Sequence, residues 1–136
     1  MTRRRITTSS PFEDFAGYSR AIVDGDFVFV SGTTGYDYQS MRMPEEIEAQ
    51  TRNCFMTIGK ALDQAGFALA DVVGARYYIV GPADADRVLK ICGEIFAEIR
   101  PAATLVVVAG LLRPEMKIEI EVTAKRTPDD KGRVTQ

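Results

Sequence analysis

Apolar positions recur along this chain in two periods, and each change of period marks a change of element. Tyr18 to Val23 and Phe27-Val28-Phe29-Val30 are aromatic and β-branched runs separated by Asp24-Gly25-Asp26, which predicts a β-hairpin. Gly32 and Gly35 interrupt the second run, leaving Thr33 to Met43 as a polar loop. After Pro44-Glu45-Glu46, residues Ile47, Thr51, Cys54, Ile58, Ala61, Leu62 and Ala65 fall at helical spacing, with Gly66 as the C-terminal stop. Asp71 to Val80 predicts a strand closed by Gly81-Pro82. A second helix takes Ala85, Val88, Leu89, Cys92, Ile95, Phe96 and Ile99 as its inner face, and Pro101 ends it. Thr104 to Leu112 is a continuous apolar strand, and Met116 to Arg126 alternates: Ile118, Ile120 and Val122 face one way, Lys117, Glu119, Glu121 and Thr123 the other.

A strand pair, a helix, a strand, a helix and a strand pair predict an α+β domain: one sheet with both helices on one face. Phe27 to Val30 and Leu105 to Val108 are apolar on both faces, yet two helices cover only one. A closed homo-oligomer is the simplest cover for the other face. No repeat or linker divides the chain, so residues 1–126 are expected to form one domain and 127–136 a polar, disordered tail.

Composition then narrows the chemistry. The chain of 136 residues has no histidine, which excludes Ser-His-Asp and Cys-His relays and His-ligated zinc, and its two cysteines cannot build a four-thiolate site. No metal or cofactor is expected. Seventeen basic against nineteen acidic residues give a net charge of −2, with no basic stripe to hold a nucleic acid. Arg3-Arg4-Arg5 is the exception and reads as a solvated tail. No apolar stretch is long enough to span a bilayer and no secretory pattern follows the arginines, so a cytoplasmic setting with free thiols is expected.

What remains is carboxylate, phenol, hydroxyl and guanidinium chemistry. Glu119 and Glu121 lie two apart on a strand, so their carboxylates share a side and influence each other's proton affinity; a polar sheet face produces the same spacing. Ser31-Gly32-Thr33-Thr34-Gly35 places hydroxyls and small residues at a strand end, where backbone amides can approach an anion, but it lacks the lysine of a phosphate loop. Tyr18 and Arg20 are two apart at the start of the hairpin and can project to one side. Cys54 and Cys92 sit on inner helical faces and read as core thiols.

Taken in order, Gly17-Tyr18-Ser19-Arg20-Ala21-Ile22, Phe29-Val30-Ser31-Gly32, Gln50-Thr51-Arg52-Asn53, Ala65-Gly66 with Asp71-Val72-Val73, Pro101-Ala102-Ala103-Thr104 and Lys117-Ile118-Glu119-Ile120-Glu121 closely resemble the RidA/YjgF family over about residues 16 to 126. The resemblance implies a chorismate-mutase-like α+β fold, a homotrimer with a central barrel of sheets, and a small-molecule cleft at each subunit interface. It also implies hydrolysis of reactive enamines and imines such as 2-aminoacrylate, giving a 2-oxo acid and ammonia. In that pattern Glu119 positions the attacking water, Tyr18 lines the cleft, and Ser31, Gly32 and Thr104 shape it.

One departure bears on substrate. The family's arginine after Pro-Ala, which grips a carboxylate through two parallel hydrogen bonds, is matched here by Ala103. Each charged hydrogen bond lost is worth about 1.5–3 kcal/mol. Arg20, standing where the family has glutamine, and Arg100 are candidates for a relocated cation, with a surface salt bridge as the alternative role for each. Two main readings follow: an enamine- or imine-type hydrolase, and a non-catalytic protein that binds or senses a metabolite. A nuclease or translation-inhibitor role is disfavoured by the acidity of the chain.

Overall fold

The cleanest alternation in the sequence occupies the middle of the molecule. In the computed structural model, which describes residues 3–127, strand β6 (Ile118–Lys125) lies between β3 (Phe27–Thr34) and β4 (Val72–Ile79). The sheet has six strands in the order β1-β2-β3-β6-β4-β5, where β1 is Arg3–Ile6, β2 Ala21–Asp24 and β5 Ala102–Val107. All pairs are antiparallel except β4 with β5. A parallel pair needs a crossover, supplied here by α3 (Ala85–Ile95).

Ile118, Ile120, Val122 and Ala124 point to the face covered by α2 (Ile47–Gln64) and α3. Together with Val28, Ile58, Leu62, Ile79 and Val88 they form the core, each large aliphatic contributing about 1.5–3 kcal/mol by burial. Phe55 and Phe96 join the two helices edge to face at 5.4 Å. The opposite sheet face is uncovered in the single chain: Phe27 and Phe29 stack at 5.8 Å, and they and Val73 and Val106 are exposed.

Four expectations are revised. Arg3-Arg4-Arg5 is not a solvated tail: it pairs with β2 in the register Arg3↔Asp24 to Ile6↔Ala21, anchored by buried Ile6, by an Arg3–Asp24 ion pair of 3.1 Å and by Arg4 donating to the Ala65 carbonyl. Gly32 does not end β3, because a bulge between Val30 and Thr33 absorbs it and pairing resumes at Thr33↔Ile120 and Thr34↔Glu119. The final two strands do not pair with each other: β5 ends at Val107 on the far edge, beside β4. The second helix ends at Ile95, and Ile91, rather than Leu89, completes its buried face. The tail expected from Thr127 onward lies, beyond that residue, outside the described residues.

Candidate functional site

The site begins at a short helix the periodicity does not reveal, α1 (Pro11–Ala16). Ser10 caps it by accepting the Phe12 N–H, Pro11 occupies its first turn, and Gly17 ends it at φ 76°. That left-handed residue turns the chain, so that the amides of Gly17 and Tyr18 both donate to the Glu13 carbonyl and Arg20 is carried beneath the sheet end.

Arg20 is fully buried, which revises the surface role weighed for it. Enclosing a guanidinium carries a desolvation penalty of several kcal/mol unless it is paired and hydrogen-bonded. Its Nε lies 3.4 Å from Glu13 Oε2, and its Nη1 donates to the Gly32 carbonyl at 2.8 Å and to Thr33 Oγ1 at 3.0 Å. The rings of Tyr38 and Tyr18 lie 5.0 Å and 5.6 Å from its central carbon, and Nη2 is buried with no hydrogen-bond partner among the described residues. Glu13, itself buried, accepts from the Thr7 hydroxyl at 2.7 Å and from the Thr8 amide and hydroxyl.

Glu119 stands directly above this unit. A Cβ on Gly32 would lie only 2.8 Å from the Glu119 Cδ, so glycine is what gives the carboxylate its place. Burial pushes the proton affinity of Glu119 up, Arg20 draws it back down, and Glu121 adds to the rise. Ser31 donates its hydroxyl to the Ser19 carbonyl at 2.6 Å and its amide to the Arg20 carbonyl at 2.9 Å, so it braces the turn into β2. Tyr18, partly exposed, is the outer wall over Arg20. Tyr18, Arg20, Ser31, Gly32 and Glu119 are therefore gathered at one end of β2, β3 and β6.

Ala103 and Thr104 are elsewhere. They lie on β5 in register with Ala75 and Arg76, and β4 separates them from β6. Two strand spacings are about 9–10 Å. Thr104 opens onto a recess of about 280 Å³ on the uncovered sheet face, shared with Gly74, Arg76, Glu121 and Thr123. Arg100, at φ 53°, donates to the Ala97 carbonyl at 3.3 Å and borders an apolar groove with Ala103 on the α3 side.

Three residues escaped the sequence reading: Glu13, Tyr38 and Arg76. Glu13 had a visible signal, since Ser10-Pro11-Phe12-Glu13 is a helix-start pattern, but the side chain turns to Arg20 rather than back to Ser10. Arg76 is exposed and held only by a 3.7 Å approach to Glu121, whose other oxygen accepts the Tyr78 hydroxyl at 2.6 Å. Cys54 donates to the Thr33 carbonyl at 3.2 Å, and burial pushes the Cys92 thiol up to about 11, so both are unreactive core groups. Among the described residues no three carboxylate or thiol side chains converge as a metal site requires, and no helix is long and apolar enough to cross a membrane.

Comparison with known proteins identifies the family and the fold. The model of the family described as Endoribonuclease L-PSP matches residues 8–126. A protein of Streptomyces coelicolor, SCO2049, is 32% identical over 123 residues, covering 90% of this chain and 92% of that protein. The RutC family protein PH0854 of Pyrococcus horikoshii is 31% identical, covering 88% and 94%. The crystal structure of Rv2704 from Mycobacterium tuberculosis, a member of the YjgF/YER057c/UK114 family, superimposes with a TM-score of 0.84 at 38% identity, covering 91% of this chain and 99% of that one. On the matched span, the shared fold and the ordered motifs, the chain belongs to the Endoribonuclease L-PSP family, that of YjgF and the Rid proteins.

Proposed function

We propose that this protein hydrolyses a small, reactive enamine- or imine-type metabolite in a cleft formed where copies of the chain meet. The single observation that carries the reading is Glu119, a half-enclosed carboxylate seated over Gly32 with a buried guanidinium behind it. In the reaction, Glu119 takes a proton from water as the oxygen adds to the C=N carbon. Glu119 returns that proton to the nitrogen, giving a C(OH)NH2 adduct; the hydroxyl proton then passes through the same carboxylate to the nitrogen, the C–N bond breaks to release ammonia, and the C–O becomes the carbonyl of a 2-oxo acid. Such a step needs only a positioned base, because an imine is already electrophilic. Tyr18 lines the approach, and Ser31 and Gly32 form its floor.

The cleft requires a second copy. Ala103 and Thr104 stand two strands from Glu119 in one chain, and the exposed Phe27, Phe29, Val73 and Val106 offer an apolar face for association. A homotrimer with its sheets turned inward brings β5 of one protomer toward Glu119 of the next. Arg76, exposed beside Thr104, presents a cation on the uncovered sheet face, whereas Ala103, one residue along β5, turns toward α3.

A second reading, binding without turnover, is favoured by Ala103. The two are separated by following 2-oxo acid release from 2-aminoacrylate generated in situ, with the native chain, Glu119→Ala, Arg76→Ala and Ala103→Arg. Hydrolysis predicts activity in the native chain and a loss of about 10²- to 10⁴-fold in Glu119→Ala. Activity confined to Ala103→Arg favours the binding reading for this substrate. Light scattering tests the assembly, and a stable monomer would remove the cleft.

A further inference from the structure

Tyr38, whose ring lies 5.0 Å from the Arg20 guanidinium carbon, borders a recess of about 470 Å³ that the proposed reaction does not use. It runs between the β1–α1 connection, the loop after β3 and one flank of α2. α2 meets α3 along its other flank, through Phe55–Phe96 and the Arg52–Glu94 and Arg87–Glu48 ion pairs, so the recess is not part of the interhelical core. It shares no lining residue with the recess on the uncovered sheet face.

Several of its polar groups are already committed. Thr7 and Thr8 donate to Glu13, the Asn53 side-chain amide donates to the Gly35 carbonyl at 3.0 Å, and the Tyr38 hydroxyl is bonded to Thr34. Two charges are not. Lys60 on α2 and Asp37 on the facing loop both line the recess, yet among the described residues neither forms an ion pair with the other or with any third group. One Asp37 oxygen accepts the Gln39 amide at 3.0 Å, which leaves the second free. Exposed Met56 adds an apolar surface beside Lys60.

We infer that this recess is a second small-molecule site and that its ligand is a small zwitterion, with its carboxylate on Lys60 and its ammonium on Asp37. Both side chains are exposed and hydrated, so a ligand of one sign replaces water at one wall only, whereas a ligand bearing both signs contacts each. The volume lies within the ordinary range of small-molecule sites, about 300–1,000 Å³. The inference does not depend on the reaction proposed above.

Calorimetric and NMR titration of the full chain tests it, with glycine, β-alanine, γ-aminobutyrate and ε-aminocaproate as zwitterions of increasing charge separation, and acetate and ethylamine as one-charge controls. The expected result is micromolar to millimolar binding of one zwitterion, weaker by at least about tenfold for both controls and in Lys60→Ala and Asp37→Asn. Asp37→Asn keeps the turn, because an amide oxygen still accepts the Gln39 amide. Glu119→Gln is expected to bind equally well. Failure of every zwitterion to bind at millimolar concentration would overturn the inference, as would binding that survives both recess variants or that disappears in Glu119→Gln.

Discussion

The two halves of the proposed cleft are built on opposite principles. Around Glu119 everything is fixed within one chain: a buried ion pair, a glycine under a carboxylate, and hydroxyls committed to backbone carbonyls. Around Thr104 almost nothing is fixed, since β5 is an edge strand whose side chains are largely exposed. On the proposed reading, the chain preorganises its acid–base group and leaves the opposing wall to be completed by association. Substitutions in the first half should disturb folding and chemistry together, whereas substitutions in the second should disturb only recognition.

The largest effect is expected at Arg20. Arg20→Met leaves the Glu13 carboxylate enclosed without its counter-charge, which costs about 3–5 kcal/mol in urea unfolding. Adding Glu13→Gln should recover part of that loss, because two neutral groups need no pairing. The exposed pair Arg52–Glu94 provides the contrast: Arg52→Ala should change stability by less than about 1 kcal/mol. Equal effects at the two pairs would erase the distinction between the halves.

Gly32→Ala comes next. The added methyl meets the Glu119 carboxylate, and overpacking of this kind costs about 1–3 kcal/mol. The same change in a Glu119→Ala background should be close to neutral, and the double-mutant cycle measures the coupling directly. Additive effects would mean the carboxylate does not rest on Gly32.

These residues also mark how far the sequence could be read. The alternation from Ile118 to Lys125, the hairpin around Gly25 and the spacing of α2 follow from side-chain period alone, and each element formed where its pattern stood. Glu119 was legible for the same reason, as a carboxylate on the polar face of a regular strand. The Glu13–Arg20 pair was not, because a buried ion pair depends on three-dimensional approach and leaves no periodic trace. Arg3 to Ile6 misled for a related reason: three arginines read as solvent-facing, yet the free edge of β2 and one buried isoleucine suffice to draw them into the sheet. Position in the sheet order was equally hidden, since β5 and β6 are neighbours in sequence but not in space.

Glu119→Gln sharpens the comparison by separating chemistry from stability. Burial raises the proton affinity of Glu119 in the folded chain above its unfolded value, so the native state holds this proton more tightly. Its contribution to stability is therefore present at low pH and is lost as pH rises through the folded-state value. The glutamine variant lacks that loss, so its stability relative to the native chain should grow with rising pH and then level off, while activity is abolished. The proposed activity of the native chain should fall on acidification at a pH above the ordinary value for a glutamate. A glutamine variant less stable than the native chain at neutral pH would show that the carboxylate is held by favourable contacts rather than tolerated.

The smallest effect on folding is expected at Ala103, where it is also the most informative about recognition. Ala103 sits exposed on an edge strand, so Ala103→Arg adds a solvated side chain and should shift stability by no more than about 0.5 kcal/mol. The same guanidinium adds a cation on β5 that starts from the α3 side and reaches the face of Arg76 only around the free edge of the strand. If Arg76 already supplies the anion-binding group, the new arginine should change the KM for 2-aminoacrylate little in the native background and restore it in Arg76→Ala. If the native chain has no such group, Ala103→Arg should lower KM by itself and Arg76→Ala should be silent. Both outcomes are read in a protein whose Glu119 half is unaltered, so a change in kcat with no change in KM would place Ala103 in the reacting half and abolish the division between the two walls.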